Sequence, residues 1–241
     1  MRIKMFFEDI WKILSNADYM NYYFSGFLNT LAMTAIAALM GLVIGFTVAI
    51  IKISAENYKF MKIPAVICNL YTTVFRGTPV ALQLFIMVFA IFAIPGFKPI
   101  AVVIAFGINS GAYVSENIRA GITSVDAGQM EAGRALGLSW IRTMIGVILP
   151  QAVKNIIPAI GNEMIALLKE TSIVSMVGAT VGTLTFDLNA ASNTVFHKVP
   201  NFLASGIIAG VFYLVVVYLM VFIIKLIEKG FKKYDRNKKR I

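Results

Sequence analysis

Tyr19–Ile51 reads YMNYYFSGFLNTLAMTAIAALMGLVIGFTVAII and contains no Asp, Glu, Lys or Arg. A spanning helix needs roughly 20 residues without an unpaired charge to cross a hydrocarbon core about 30 Å thick, so this stretch predicts a membrane span. Gly77–Phe97 and Val199–Ile224 are equally free of charge and dominated by Ile, Val, Leu, Phe, Ala and Met, and they predict two more. Pro99–Ser115 is shorter but uncharged. It follows the Pro95-Gly96 turn signal and reads as a fourth span returning through the membrane.

A fifth span, about Thr143–Leu168, is apolar in bulk but carries Lys154, Glu163, Pro150 and Pro158. Such breaks are tolerated only where neighbouring helices or a wet cavity satisfy the freed backbone groups, so this helix is expected to pack inside the protein. An ionisable group at membrane depth is a functional candidate by default.

Composition agrees: 59% of the 241 residues are hydrophobic and 14% charged, with a mean hydropathy of +0.79, more apolar surface than a soluble core absorbs. A formal net charge of +10 would point to nucleic acid in a soluble protein. Here the excess of Lys and Arg in cytoplasmic segments explains it, and no nucleic-acid partner is expected. Lys225, Lys229, Lys232, Lys233, Arg236, Lys238, Lys239 and Arg240 follow the last span and put the C-terminus in the cytoplasm. Five spans then put the N-terminus outside. Lys52, Lys59, Lys62, Arg76, Arg119, Arg134 and Arg142 also fall inside, against Arg2, Lys4, Lys12, Lys98 and Lys198 outside.

The chain reads as one domain, 1–241, with a core over about 20–230 and a basic tail over 229–241. In residues 1–18, Phe7, Ile10, Trp11 and Leu14 recur at helical spacing among Glu8, Asp9 and Lys12. That pattern is an amphipathic helix at the membrane interface rather than a signal peptide. Cys68 and His197 are the only residues of their kinds, so no intrachain disulfide and no Cys- or His-based metal site is expected.

Two connections are long, about Glu116–Arg142 and Thr171–Pro200. In the first, Asp126 and Gln129 have capping-box spacing, Met130–Leu136 suits a helix, and Gly137 is placed to end it. Ser139 can cap a second helix starting near Trp140, which makes a compact cytoplasmic helix, turn, helix. The second, placed outside, has two readings: a segment dipping back into the protein, or an ordinary outer loop.

The cytoplasmic helix carries Glu131-Ala132-Gly133, then Gly137, then Val147, Leu149 and Pro150. This resembles the EAA motif of ABC-importer permeases: Glu-Ala-Ala, three residues, Gly, nine residues, Ile-x-Leu-Pro. The spacing is kept throughout, with Gly133 for the second Ala and Val147 for Ile. Phe75-Arg76-Gly77-Thr78-Pro79 with Gln83-Leu84-Phe85 is similar to polar amino-acid permeases. So are Ser110-Gly111-Ala112-Tyr113 through Glu116, Arg119 and Gly128-Gln129-Met130, and Gly161-Asn162-Glu163 with Leu168-Lys169-Glu170-Thr171-Ser172.

The resemblance covers roughly residues 20 to 230. It implies an all-α integral membrane protein with five transmembrane helices in the type I ABC importer permease fold, moving polar amino acids across a prokaryotic cytoplasmic membrane. Two such subunits, identical or related, would share one pathway among membrane lipids. Glu131, Ala132, Gly133, Arg134 and Gly137 would dock on a cytoplasmic ABC ATPase dimer, small residues entering a groove and charges serving its rim. An extracytoplasmic binding protein would deliver the substrate. No Gly-Lys dipeptide occurs, so a Walker A loop is absent and the chain is not itself an ATPase. ATP and Mg would belong to the partner.

Thr78-Pro79 reads as an N-cap with proline at the first helical position, and Arg76 as a cytoplasmic-face charge just before it. Gly107, Gly111 and Ala112 offer small surfaces for close helix approach. Glu163 is expected to face the path and contact the ammonium or cationic side chain of the substrate, unless it pairs internally with Lys169 or Lys154. Asn109 and Gln83 can hydrogen-bond a substrate carboxylate, or each other's helices. The rival reading is an ion-coupled secondary carrier or channel, but no internal repeat supports it.

Overall fold

Asn16 divides the first two helices. Its side-chain oxygen accepts from the backbone N–H groups of Asp18 (2.9 Å) and Tyr19 (3.1 Å), so α1 (Arg2–Leu14) stops and α2 (Ala17–Ser54) starts beside it. The computed structural model describes residues 2–238, and no strand occurs among them. Lys239 and Arg240 of the basic tail lie outside the described residues. α2 is the first expected span, 38 residues long.

The second expected span, Gly77–Phe97, takes a different form. α3 (Lys62–Gly77) ends at Gly77, and α4 (Val80–Ile86), continued by a π turn over Met87–Ile91, leaves it at 108°. Proline forces its predecessor out of the helical region: Thr78 has φ −122 and ψ 149, and Pro79 stands at the N-cap of α4. The Thr78 hydroxyl turns back to Val74 O (2.8 Å) rather than capping α4. The span is thus a broken pair whose first half had no counterpart in the sequence reading.

α5 (Lys98–Thr123) runs well past Ser115, so Glu116 and Arg119 belong to a helix and not to a loop. A short link leads to α6 (Ala127–Ala135). α7 (Trp140–Thr143), a π turn over Met144–Ile148, and α8 (Leu149–Glu170) follow, with a 3-10 extension over Thr171–Val177. Ser139 Oγ accepts from Arg142 N (3.3 Å) and caps α7 as expected. α9 (Leu188–Phe196) and α10 (Phe202–Lys238) complete the chain.

The connection over 171–200 folds back into the protein. Phe186, Asp187, Leu188 and Ala191 are fully or almost fully buried, and Asp187 caps α9 by accepting from Ala190 N (2.9 Å) and Asn189 N (3.2 Å). Gly26 lets α2 approach this turn: a Cβ there would stand 2.6 Å from Asp187 O. α1 joins the same end through fully buried Ile13 and through Asn201 Nδ2 donating to Asp9 (2.8 Å). Its stripe of Ile3, Phe7, Trp11 and Leu14 stays exposed.

The expectation that the Pro-broken span is the internal one is overturned. Of an 18-residue apolar stretch within Trp140–Val177 only 17% is buried inside this chain, against 67% for one within Lys98–Thr123. The reason lies in small residues. Gly41 and Gly45 on α2 face Gly107 and Gly111 on α5, two GxxxG pairs turned toward each other. Met40 fills the notch at Gly107, Ile44 that at Gly111, Ser110 that at Gly41 and Val114 that at Gly45. At the other end of the bundle Ala49, Ile53, Ile118, Ala152 and Ile156 pack together, and Gly121 admits Ile156, so α8 joins α5 there.

Lipid is as apolar as leucine, so helix association in a membrane rests on this kind of close packing. Gly111→Leu would drive a side chain into Ile44 and the Tyr71 hydroxyl. A loss of about 1–3 kcal/mol or more is expected, read as a lower Tm of the detergent-solubilised chain. Gly206→Ala, at a position open for 4 Å around, is expected to leave Tm unchanged or slightly raised.

Candidate functional site

Two features stand out, a helix projecting between α5 and α7 and a polar cluster where α3, α5 and α8 meet.

The projecting helix is α6. Asp126 caps it, accepting from Gly128 N (2.7 Å); the expected capping box reduces to this one arm, while Gln129 N donates to the Asp126 backbone (3.0 Å). Its other end closes in a Schellman motif. Leu138 N donates to Gly133 O (3.1 Å), Gly137 N donates to Arg134 O (3.0 Å), and Gly137 sits at φ +81, where a Cβ would be strained. Arg134 Nη1 then donates to Leu138 O (2.8 Å).

Of the five residues expected to dock, Glu131, Ala132, Arg134 and Gly137 are exposed, and Gly133 is buried. A methyl at Gly133 would collide with Thr143 Cγ2, so this glycine faces the chain's own α7 and not a partner. Leu136, which sequence reasoning passed over, is 82% exposed at the tip. Behind α6 lies a cavity of about 490 Å³ lined by Ile53, Arg119, Met130, Arg134 and Trp140 among others, so the helix stands off the bundle.

The polar cluster starts at the break after Gly77. Pro79 has no N–H and the turn is extended, so the carbonyls ending α3 lack helical partners. Gln83 Nε2 donates to Phe75 O (2.9 Å), Thr78 O (3.1 Å) and Thr78 Oγ1 (2.8 Å), and Asn109 Nδ2 donates to Phe75 O (3.2 Å) and Gln83 Oε1 (2.8 Å). Both amides are buried. Of their two possible uses, the interhelical one is what the geometry displays.

Arg76 is the residue next to Phe75, so these amides fix where it sits. Its guanidinium lies 5.5 Å over the Tyr113 ring and 3.8 Å from Glu116. It also lies in the field of Glu163, half-buried on α8, together with Glu170 and the Ser110 hydroxyl. Ser110 Oγ is buried and makes no hydrogen bond among the described residues. Lys169, raised as a partner for Glu163, acts on Glu170 instead. The cluster therefore offers an anion on α8 and a cation at the end of α3, with the fully buried Ser110 hydroxyl of α5 next to Glu163. Sequence reasoning missed Arg76 and Ser110, although both stood in the matched segments.

Glu116 anchors a second group of charges. Lys52 Nζ lies 2.6 Å from its Oε1 and Arg119 Nη2 2.9 Å from its Oε2, and Lys52 also donates to Thr72 Oγ1 (3.1 Å).

A family model described as the binding-protein-dependent transport system inner membrane component matches residues 41–233. The chain is 43% identical over 207 residues to the putative glutamine transport system permease protein GlnP of Rickettsia conorii, covering 85% of this chain and 90% of the relative. It is 40% identical over 219 residues to the arginine transport system permease protein ArtQ of Bacillus subtilis, covering 89% and 94%. A crystal structure of an amino acid ABC transporter with histidines superposes with TM-score 0.78 at 36% identity, over 90% of this chain and 98% of that one. The inward-facing MetNI methionine ABC transporter matches with TM-score 0.73 at 20% identity, a likeness of fold alone.

Gly133 yields a test in which two effects oppose. Alanine improves helix propensity by about 0.5–1 kcal/mol, but crowding Thr143 costs about 1–3 kcal/mol. Gly133→Ala is therefore expected to destabilise α6, and in a Thr143→Ala background to stabilise it. Hydrogen exchange of the amides in 127–136 reads the change of sign.

Proposed function

The chain belongs to the family of binding-protein-dependent transport system inner membrane components, and from this premise we propose that it is the permease subunit of an ATP-binding-cassette importer for polar amino acids. Glutamine and arginine appear in the names of its relatives. The family implies an ATPase partner that uses ATP and Mg, and a binding-protein partner. In finer terms, two permease subunits, identical or related, pair across the path, with the N-terminus outside and the C-terminus in the cytoplasm.

The observation that carries the reading is α6, a self-capped helix standing off the bundle with Glu131, Ala132, Arg134 and Leu136 exposed. An 82% exposed leucine on a polar projection suits burial in a partner's groove. α5 and α8 lead away from α6 toward the polar cluster, so movement of the docked helix reaches the path through packed elements. α8 also exposes Gln151, Asn155, Asn162 and Lys169, a polar face suited to a wet path or a second subunit and costly against lipid.

In the path, Glu163 takes the ammonium or cationic side chain, and Arg76 takes the α-carboxylate. A zwitterion needs one group of each sign, and a fork-shaped guanidinium fits a carboxylate. Asn109 and Gln83 serve the path indirectly, by holding the break beside Arg76.

Two measurements test this. The cognate ATPase is expected to co-purify with the solubilised chain and to be lost in Glu131→Lys; retention at the parental ratio refutes the docking role. In proteoliposomes Glu163→Gln is expected to raise the transport KM at least about tenfold, the loss of a charged hydrogen bond worth roughly 1.5–3 kcal/mol. An unchanged KM in an assembled complex removes Glu163 from the path.

A further inference from the structure

We propose that Glu116 is a latch responding to an amino acid in the path, and that Arg76 carries the response. This rests on the reading of Glu163 and Arg76 as the two contacts of the substrate. Glu116 on α5 holds cations from three segments: Lys52 of α2 at 2.6 Å, Arg119 of α5 at 2.9 Å, and Arg76 from the end of α3 at 3.8 Å. With Lys52 also bonded to Thr72 of α3, the cluster fastens α2, α3 and α5 together. A short link then joins α5 to α6.

The three ties are unequal. Lys52 and Arg119 already occupy both carboxylate oxygens at hydrogen-bond distance. Arg76 adds only Coulomb attraction at 3.8 Å, and its side chain is 44% exposed, so water screens much of that attraction. The guanidinium lies over Tyr113 and 3.8 Å from Glu116 on α5, and its charge also acts on Glu163 of α8.

An amino acid arriving at Glu163 brings its own carboxylate. That group can bond the guanidinium bidentately, which is stronger than the long contact to Glu116. Arg76 turns to the substrate, Glu116 keeps only Lys52 and Arg119, and the charged contact from the end of α3 to Glu116 is released while Asn109 still holds Phe75. Empty and loaded paths therefore differ in one contact at the root of the segment leading to α6. Differential contact between two states is what coupling between sites requires.

The test uses the complete importer, permease with its ATPase and binding protein, in proteoliposomes. It reads the ratio of ATP hydrolysis with amino-acid-loaded binding protein to that with empty binding protein. Glu116→Gln removes the charge and keeps the shape, and the ratio is expected to fall roughly fivefold or more while hydrolysis itself persists. Lys52→Met frees Glu116 Oε1 for Arg76 to take, so the substrate no longer releases it and the ratio falls as well. Glu116→Asp retains most of the ratio.

A parental ratio in assembled Glu116→Gln overturns the proposal, and so does an equal loss in Glu116→Asp, which marks a merely structural role. Should Glu116→Gln fail to assemble, a parental ratio in Lys52→Met overturns it instead. Failure of the substrate reading has its own signature, an unchanged transport KM in Glu163→Gln. Failure of the latch alone leaves that KM raised and the ratio of Glu116→Gln intact.

Discussion

The backbone contact between α2 and α5 is the constraint on which the rest depends. Four glycines, Gly41 and Gly45 facing Gly107 and Gly111, let the two helices interlock at a separation that any larger side chain would forbid. In a bilayer no hydrophobic force presses helices together, so shape complementarity of this kind does the work that core burial does in water. It makes α5 the most enclosed of the spans. The polar cluster is then mounted on α5: Asn109 steadies the α3–α4 break, Tyr113 lies under Arg76, and Glu116 collects the charges.

The break after Gly77 is the second organising feature. A bent, interrupted helix inside a membrane is stable only if its freed carbonyls find donors, and Gln83 and Asn109 supply them. The cost of the interruption is thereby confined to two buried amides. In return the chain places an arginine at the end of a helix, beside the Glu116 carboxylate and acting on that of Glu163, and holds it there through the residue that precedes it.

Much of this was legible in the sequence. Charge-free runs located α2, α5 and α10 because bilayer thickness is a constraint on composition, readable without knowing any contact. The caps of α6 and α7 were legible because Asp126, Gly137 and Ser139 act on residues adjacent in sequence. What escaped was non-local. The facing glycines are recognisable only once α2 and α5 are known to meet. Pro79 was taken to open a span, whereas its effect on Thr78 was to separate two helices bent by 108°. The polar residues of α8 were assigned to an interior, but the chain leaves that helix largely uncovered. Arg76 read as an interfacial charge because nothing in its own segment reveals the Glu116 carboxylate of α5 beside it.

The Schellman closure of α6, together with the cap at Asp126, has a consequence for assembly. Short helices are rarely stable by themselves, because nucleation fixes several residues for a single bond. Here both ends are tied off by the chain's own atoms, and Gly133 seats the middle against Thr143. The segment is thus folded before any other subunit arrives. Association then loses little conformational entropy at this knob, and complementarity goes into affinity rather than into ordering a loop.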